Sequence, residues 1–185
     1  MSNIRKIYKN AVRWDRISLL IFDCDGVLTD GRIIYDSTGL ELKNFDAHDG
    51  MGFLILRQTE IQTAVITGRS SELLARRCRD LKINHVYQGV ANKLRKTEEL
   101  LQELGLGWEA VAYMGDDWND IPTMNKAAFS AAPSDALEEI RNLADFVTTA
   151  PGGRGAVREF IRHILIQQKR YDKAIDAYLE SLSKA

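Results

Sequence analysis

The sequence has little of several features that mark other classes of protein. It contains only two cysteines, Cys24 and Cys78, which are too few for a disulfide framework, and we interpret both as buried, reduced thiols of a cytoplasmic protein. The net charge is −1, so the chain lacks the broad basic field of nucleic-acid-binding proteins. No apolar run approaches the ~20 residues of a membrane span. The N-terminal segment 1–17 has basic residues but no continuous apolar core, which argues against a secretory signal. We therefore expect no nucleic-acid partner and no membrane partner.

The length bounds the architecture. A chain of 185 residues is expected to form one domain, and one of this size buries roughly 70% of its unfolded surface without disulfides. Its hydrophobic content of 45% is typical of globular proteins. We predict a single domain over residues 1–185.

The most informative segment is FDCDGVLTDG, residues 22–31. Asp23 and Asp25 follow the apolar run SLLIF, which is typical of a buried parallel strand. Because side chains alternate along a strand, the two carboxylates should share a face while Cys24 points to the other, and Gly26 lets the chain turn sharply afterwards. Asp-Gly is also an ordinary turn dipeptide. Two acids at the end of a buried strand, however, are costly unless a cation or a reaction uses them.

Three further motifs follow other predicted strands. The apolar run TAVI precedes TGRS at residues 67–70, and Lys93 opens the helical stretch NKLRKTEELLQELG. The segment VAYMGDDWND, residues 111–120, places Asp116, Asp117 and Asp120 just after a third apolar strand. Open α/β sheets bind ligands outside the carboxyl ends of their strands, so we expect these motifs to converge on one crevice. Acids, a hydroxyl and a lysine together form a site for a divalent cation and a phosphate.

Strands and helices alternate along the chain. Strands are predicted near 18–23, 63–67, 85–88, 111–115, 127–131 and 145–148, and helices near 4–14, 50–60, 70–82, 92–104, 119–126, 134–143 and 155–180. The alternation predicts an α/β fold, a Rossmann-like parallel sheet with helices on both faces. Residues 32–45, RIIYDSTGLELKNF, depart from it, because two apolar arms flank a DSTG turn and predict a β-hairpin.

The series DxDG, [ST]G, Lys and GDxxxD, in this order and spacing, resembles the haloacid dehalogenase superfamily of phosphotransferases over the whole chain. Four segments, ELKNFDAHDGMG, VYQGVANK, VAYMGDDWNDIP and PGGRGAVRE, are similar to its small, cap-less subgroup of phosphatases that act on 3-deoxy-D-manno-octulosonate 8-phosphate. The hairpin lies where larger relatives insert a cap domain. The sequence departs from the subgroup at His48, where an arginine commonly precedes Asp49-Gly50.

The resemblance implies a Mg²⁺-dependent phosphomonoesterase that releases the free sugar acid and phosphate through an aspartyl-phosphate, a step in lipopolysaccharide precursor synthesis. It implies that Asp23 is the nucleophile and Asp25 the general acid/base. The implied ligands of Mg²⁺ are Asp23, the backbone carbonyl of Asp25, and Asp116. Thr67 and the amide of Gly68 would bind phosphate oxygens, and Lys93 would offset negative charge.

Substrate contacts are implied for Asp49, Arg69 and Arg154. Arg69 could equally pair with an acid, and Arg154 lies in a glycine loop that could be only a turn into the last helix. The roles of His48, Asp117 and Asp120 stay open. Asp117 and Asp120 are expected either to support the ligands of the cation or to orient Lys93. The resembling subgroup also implies a homotetramer whose neighbouring subunits complete each active site.

Two other functions remain open from the sequence. One is a phosphatase of a nonulosonate 9-phosphate or of another small sugar phosphate. The other is a non-catalytic sugar-phosphate-binding or scaffold subunit, which the intact pair Asp23 and Asp25 disfavours. A GxxxxGK[ST] loop is absent, which disfavours a kinase or an NTPase.

Overall fold

The computed structural model describes residues 11–183. Its centre is a six-stranded parallel sheet whose strands are β1 (Leu19–Phe22), β4 (Gln62–Ile66), β5 (His85–Tyr87), β6 (Val111–Met114), β7 (Phe129–Ala132) and β8 (Phe146–Val147). Their order across the sheet is β5-β4-β1-β6-β7-β8, and all neighbours pair in parallel. Every residue of β1, β6 and β7 is buried, as the continuous apolar runs predict.

Helices cover both faces of this sheet. They are α1 (Ala47–Leu56), α2 (Glu72–Leu81), α3 (Lys93–Leu104), α4 (Ile121–Lys126), α5 (Glu138–Leu143), α6 (Ala156–Gln167) and α7 (Tyr171–Leu182). One hydrophobic core joins the sheet to α1, α2, α6 and α7, and a second joins it to α3, α4 and α5. The predicted α/β class and the parallel sheet with helices on both faces are confirmed.

Some predicted boundaries were wrong. The segment 155–180 is two helices, because the chain turns at Lys169, which has a left-handed φ of 56°. The segment 134–143 becomes helical only at Glu138, since the preceding Leu137 has a non-helical ψ of 145°. The helix predicted over 4–14 lies mostly outside the described residues, and 11–13 are not helical.

The predicted hairpin is present as a two-stranded antiparallel ribbon of β2 (Ile34–Tyr35) and β3 (Glu41–Leu42). Asp36 closes its turn by accepting hydrogen bonds from the amides of Thr38 (2.9 Å) and Leu40 (2.7 Å). Ile34 lies opposite Leu42, and Tyr35 lies opposite Glu41. Because cross-strand partners share a face, the ribbon has an apolar face and a polar face.

Within the part of the chain that the structure describes, no helix combines the length and the apolar character required to cross a membrane.

Candidate active site

The carboxyl ends of β1, β4 and β6 and the start of α3 enclose a cavity of about 140 Å³. The residues that line it come from all four predicted motifs: Asp23, Asp25, Thr67, Gly68, Arg69, Lys93, Asp116, Asp117 and Asn119. The structure therefore brings together seven of the predicted site residues. It does so because parallel strands place the segments that follow them at one edge of the sheet.

Asp23 and Asp25 both face this cavity, whereas Cys24 between them is buried in the core with 1% of its surface exposed. The chain then turns at Gly26, whose φ is +89°. A Cβ atom at this position would lie 2.0 Å from Oδ2 of Asp116. Glycine is therefore required at this position for two reasons: the backbone is left-handed, and Asp116 approaches too closely for a side chain to fit.

Lys93 lies between two carboxylates at the floor of the cavity. Its Nζ is 2.9 Å from Oδ1 of Asp23 and 2.7 Å from Oδ1 of Asp120. It is the first residue of α3, because Asn92 caps the helix by accepting from the Arg95 amide. Burial alone would lower the pKa of Lys93, but the two carboxylates outweigh it and raise this pKa, so the lysine stays charged.

Asp120 is completely buried and its carboxylate is fully occupied. Oδ1 accepts from Lys93 and from the Tyr113 hydroxyl (2.6 Å), while Oδ2 accepts from the amides of Asp116 (3.0 Å) and Asp117 (3.3 Å). This carboxylate shapes the loop after β6 and holds the lysine. It has little remaining capacity to bind a cation directly.

The geometry fits a cation between Asp23 and Asp116. Carboxylate oxygens of Asp23, Asp116 and Asp120 lie within 4.8 Å of one another. Oδ1 of Asp116 is buried and accepts no hydrogen bond from any residue of 11–183. Burial, followed by repulsion from Asp120, raises the pKa of Asp23. Burial, followed by repulsion from Asp23 and Asp120, raises the pKa of Asp116. A hard divalent cation such as Mg²⁺ would satisfy the free oxygen and neutralise the repulsion.

Two basic side chains contact Asp25, those of Lys43 and Arg69. The sequence did not predict the contact with Lys43. Nζ of Lys43, from the arm after β3, contacts Oδ1 of Asp25, and the lysine side chain is only 2% exposed. Nε of Arg69 lies 3.6 Å from Oδ2 of the same carboxylate. The spacing of Glu41 and Lys43 in the sequence indicates that they share one face of the second strand of the hairpin. It does not indicate whether that face turns toward the cavity.

The predicted substrate contacts are not all at the cavity. Asp49 is 2% exposed, and its carboxylate accepts from the amides of Gly155 (3.2 Å) and Arg158 (2.8 Å). Its oxygens therefore hold the start of α6, which favours a structural role over the predicted contact with substrate. His48 is exposed and lies beside Asp46, its Nδ1 3.4 Å from that carboxylate.

Arg154 is exposed on the glycine loop before α6 and does not line the cavity. The loop itself packs against the segment that follows the catalytic motif. The amide of Gly153 donates to the carbonyl of Val27 at 3.0 Å, and a Cβ at Gly152 would lie 1.9 Å from the carbonyl oxygen of Gly26. Backbone contact this close requires glycine and holds Arg154 near the site.

Comparison with known proteins agrees with this geometry. The family model for haloacid dehalogenase-like hydrolases matches residues 80–161. The 3-deoxy-D-manno-octulosonate 8-phosphate phosphatase of Escherichia coli is 45% identical over 160 residues, which are 86% of this chain and 85% of that protein.

Solved structures agree as well. The phosphatase of the same name from Moraxella catarrhalis, in complex with magnesium, phosphate and KDO, superposes with a TM-score of 0.86 at 40% identity, over 89% of this chain and 95% of that one. The cobalt-bound deoxy-D-mannose-octulosonate 8-phosphate phosphatase from Haemophilus influenzae gives a TM-score of 0.81 at 38% identity, over 85% and 92%. The chain belongs to the 3-deoxy-D-manno-octulosonate 8-phosphate phosphatase family of haloacid dehalogenase-like hydrolases.

Proposed function

We propose that this protein is a Mg²⁺-dependent phosphatase that hydrolyses 3-deoxy-D-manno-octulosonate 8-phosphate to the free sugar acid and phosphate. The observation that carries the proposal is the position of Asp23. Its carboxylate faces the cavity, 2.9 Å from Nζ of Lys93 and beside the unsatisfied oxygen of Asp116. A binding protein would gain nothing from a nucleophile held in this way.

In the first step an oxygen of Asp23 attacks phosphorus, and the bond between phosphorus and the sugar oxygen breaks. Asp25 donates its proton to the departing sugar oxygen. Thr67, buried at the end of β4, and Gly68 bind phosphoryl oxygens, while Lys93 stabilises the negative charge on the phosphoryl group and the nucleophile. The product of this step is an aspartyl-phosphate on Asp23.

In the second step Asp25, now a carboxylate, takes a proton from a water molecule. The water oxygen attacks phosphorus, the bond to Asp23 breaks, and inorganic phosphate leaves. Lys43 and Arg69 both contact Asp25 and hold its carboxylate at the cavity that it lines. This position supports the role of Asp25 as the base in this step.

Asp23 and Asp116, with the backbone carbonyl of Asp25, would hold Mg²⁺, which neutralises charge on the phosphoryl oxygens when bound. Asp120 keeps Lys93 and the loop of Asp116 in position, and Asp117 orders the same loop by accepting from the amide of Trp118 at 2.6 Å.

The exposed apolar surface of the ribbon supports a proposal about assembly. Leu40 and Leu42 expose 56% and 49% of their surfaces, on an isolated two-stranded ribbon. Such ribbons are marginal alone, and symmetric self-association is the usual way to cover an apolar surface of this kind. We propose a cytoplasmic homotetramer whose adjacent subunit completes each substrate pocket. Light scattering at micromolar concentration should give about four times the 20.9 kDa chain mass, and a fully active monomer would contradict the shared pocket.

The function is tested by a phosphate-release screen with Mg²⁺ over the octulosonate 8-phosphate, a nonulosonate 9-phosphate and an aryl phosphate. We expect preference for the first. Asp23→Asn should retain the fold, measured by circular dichroism, and lose turnover. Asp15→Asn is the matched control, because Asp15 is an exposed aspartate that pairs with Arg13. Near-native turnover by Asp23→Asn, or preference for the nonulosonate, would reject the assignment.

A further inference from the structure

The polar face of the ribbon turns toward the active site of its own chain. Tyr35 and Glu41 are cross-strand partners, so they lie side by side on one face. Lys43, two residues beyond Glu41, contacts the carboxylate of Asp25. The ribbon is thus anchored to the cavity by polar contacts within one subunit.

Tyr35 and Glu41 both hold Arg69. Nη2 of Arg69 donates to the Tyr35 hydroxyl at 2.6 Å and to Oε1 of Glu41 at 3.4 Å. The other carboxylate oxygen of Glu41 accepts from the hydroxyl of Ser71 at 2.7 Å. One end of the guanidinium is therefore fixed by the ribbon, and the ribbon is fixed to the loop that follows β4.

The opposite edge of this guanidinium is ion-paired with Asp25 but makes no hydrogen bond within residues 11–183. Although the Arg69 side chain is 39% exposed, its Nε is shielded from solvent and donates no hydrogen bond to any residue in the described range. A shielded donor without a hydrogen-bond acceptor is costly, and Arg69 is one of the residues that line the cavity. Its Nε lies 3.6 Å from Oδ2 of Asp25, on the side where Asp25 meets the leaving group.

We propose that Tyr35 and Glu41 are positioning residues that hold Arg69 so that its Nε donates to the sugar-acid part of the substrate. The inference rests on the proposed function, because the ligand is the leaving group of that reaction. A fixed arginine loses less conformational freedom when it binds than a free one. The ribbon therefore sets substrate selectivity from within its own chain, in addition to any surface it offers to a neighbour.

The test compares Tyr35→Phe and Glu41→Gln with the parent enzyme, using the sugar-acid phosphate that the parent prefers in the screen. Removing one charge-assisted contact from a partly exposed arginine should raise KM for that substrate by about fivefold. Because Nε faces the leaving group, kcat and the KM for an aryl phosphate should change less than about twofold. Glu99→Gln, an exposed glutamate on α3 paired with Arg95 and Lys96, is the matched control for the lost charge.

The same variants in an Arg69→Met background separate positioning from a general structural role. If Glu41 acts through Arg69, Glu41→Gln should add no further increase in KM once Arg69 is absent. An equal increase in both backgrounds, equal losses on both substrates, or no change in KM would overturn the proposal. Should Glu41→Gln not fold, Tyr35→Phe decides alone, since Tyr35 is 60% exposed. If the parent enzyme prefers another sugar-acid phosphate, the proposed substrate is wrong. The comparison of variants in the two backgrounds is then made with the preferred substrate and still tests the role of Glu41 and Tyr35.

Discussion

The unsatisfied carboxylate of Asp116 makes a specific prediction about stability. In the metal-free protein, burial and repulsion raise the pKa of Asp23 and of Asp116 above the ordinary aspartate value near 4. Between that value and the raised ones, the folded state binds protons that the unfolded state has released. The free energy of unfolding must therefore fall as pH rises from about 4 toward 8.

Magnesium should reverse this loss, because it binds the ionised carboxylates of the folded state. At a concentration 100 times Kd, a ligand adds about 2.7 kcal/mol to the free energy of unfolding. For a chain of this size that corresponds to a rise in Tm of roughly 5–10 °C. The rise should be larger at pH 8 than at pH 5, where protons compete with the cation.

The perturbation is Asp116→Asn, which removes one of the two proposed side-chain ligands and one of the three clustered carboxylate charges. If Kd rises about 100-fold, the same Mg²⁺ adds only about 0.4 kcal/mol, and the shift in Tm falls to roughly 1 °C. Without metal, the variant should lose less stability than the parent between pH 5 and pH 8.

Scanning calorimetry of the parent and of Asp116→Asn, with EDTA and with Mg²⁺ at pH 5 and pH 8, measures the Tm of each protein under all four conditions. Asp15→Asn is again the control. An equal Mg²⁺ shift in parent and Asp116→Asn would show that Asp116 is not a ligand. A Mg²⁺ shift in the parent that is smaller at pH 8 than at pH 5 would refute the linkage argument.

Three further changes test other parts of the site. Lys93→Met leaves two buried carboxylates without their cation and should cost about 3–5 kcal/mol in urea unfolding, whereas a cost below about 1 kcal/mol would mean that water reaches them. Gly152→Ala places a Cβ 1.9 Å from a carbonyl of the catalytic loop and should lower kcat, measured by phosphate release; unchanged kcat would show that the glycine loop can shift freely. Arg154→Ala should raise KM for the sugar-acid phosphate and affect an aryl phosphate much less, and equal losses would indicate a structural role.

The convergence of the catalytic motifs was predictable because it depends on topology. Once the chain alternates strands and helices, parallel strands must end at one edge, so Asp23, Thr67 and Asp116 meet there whatever the details of packing. The alternation of Asp23 and Asp25 around the buried Cys24 is equally local. These features need only the period of a strand and the right-handed crossover rule.

Contacts between distant segments were not predictable in the same way. Whether Lys43 reaches Asp25 depends on how the ribbon is inclined against the sheet, which neither pattern nor composition encodes. Asp49 shows the converse case, because the sequence implies a contact with substrate and does not show which distant groups bond to its carboxylate. The amides at the start of α6, more than 100 residues later in the chain, use its carboxylate instead.

The ribbon explains how so small a protein can dispense with a cap domain. A cap must exclude water and select the substrate, and it must be held against the site. Here the polar face of the ribbon holds Arg69 and contacts Asp25 within one subunit, while Leu42 on the other face remains exposed. Because a strand alternates its side chains, four residues of β2 and β3 suffice to present both faces. Under the two roles proposed for the ribbon, selectivity and assembly can be changed by different residues of the same element, since a substitution on one face leaves the contacts of the other in place.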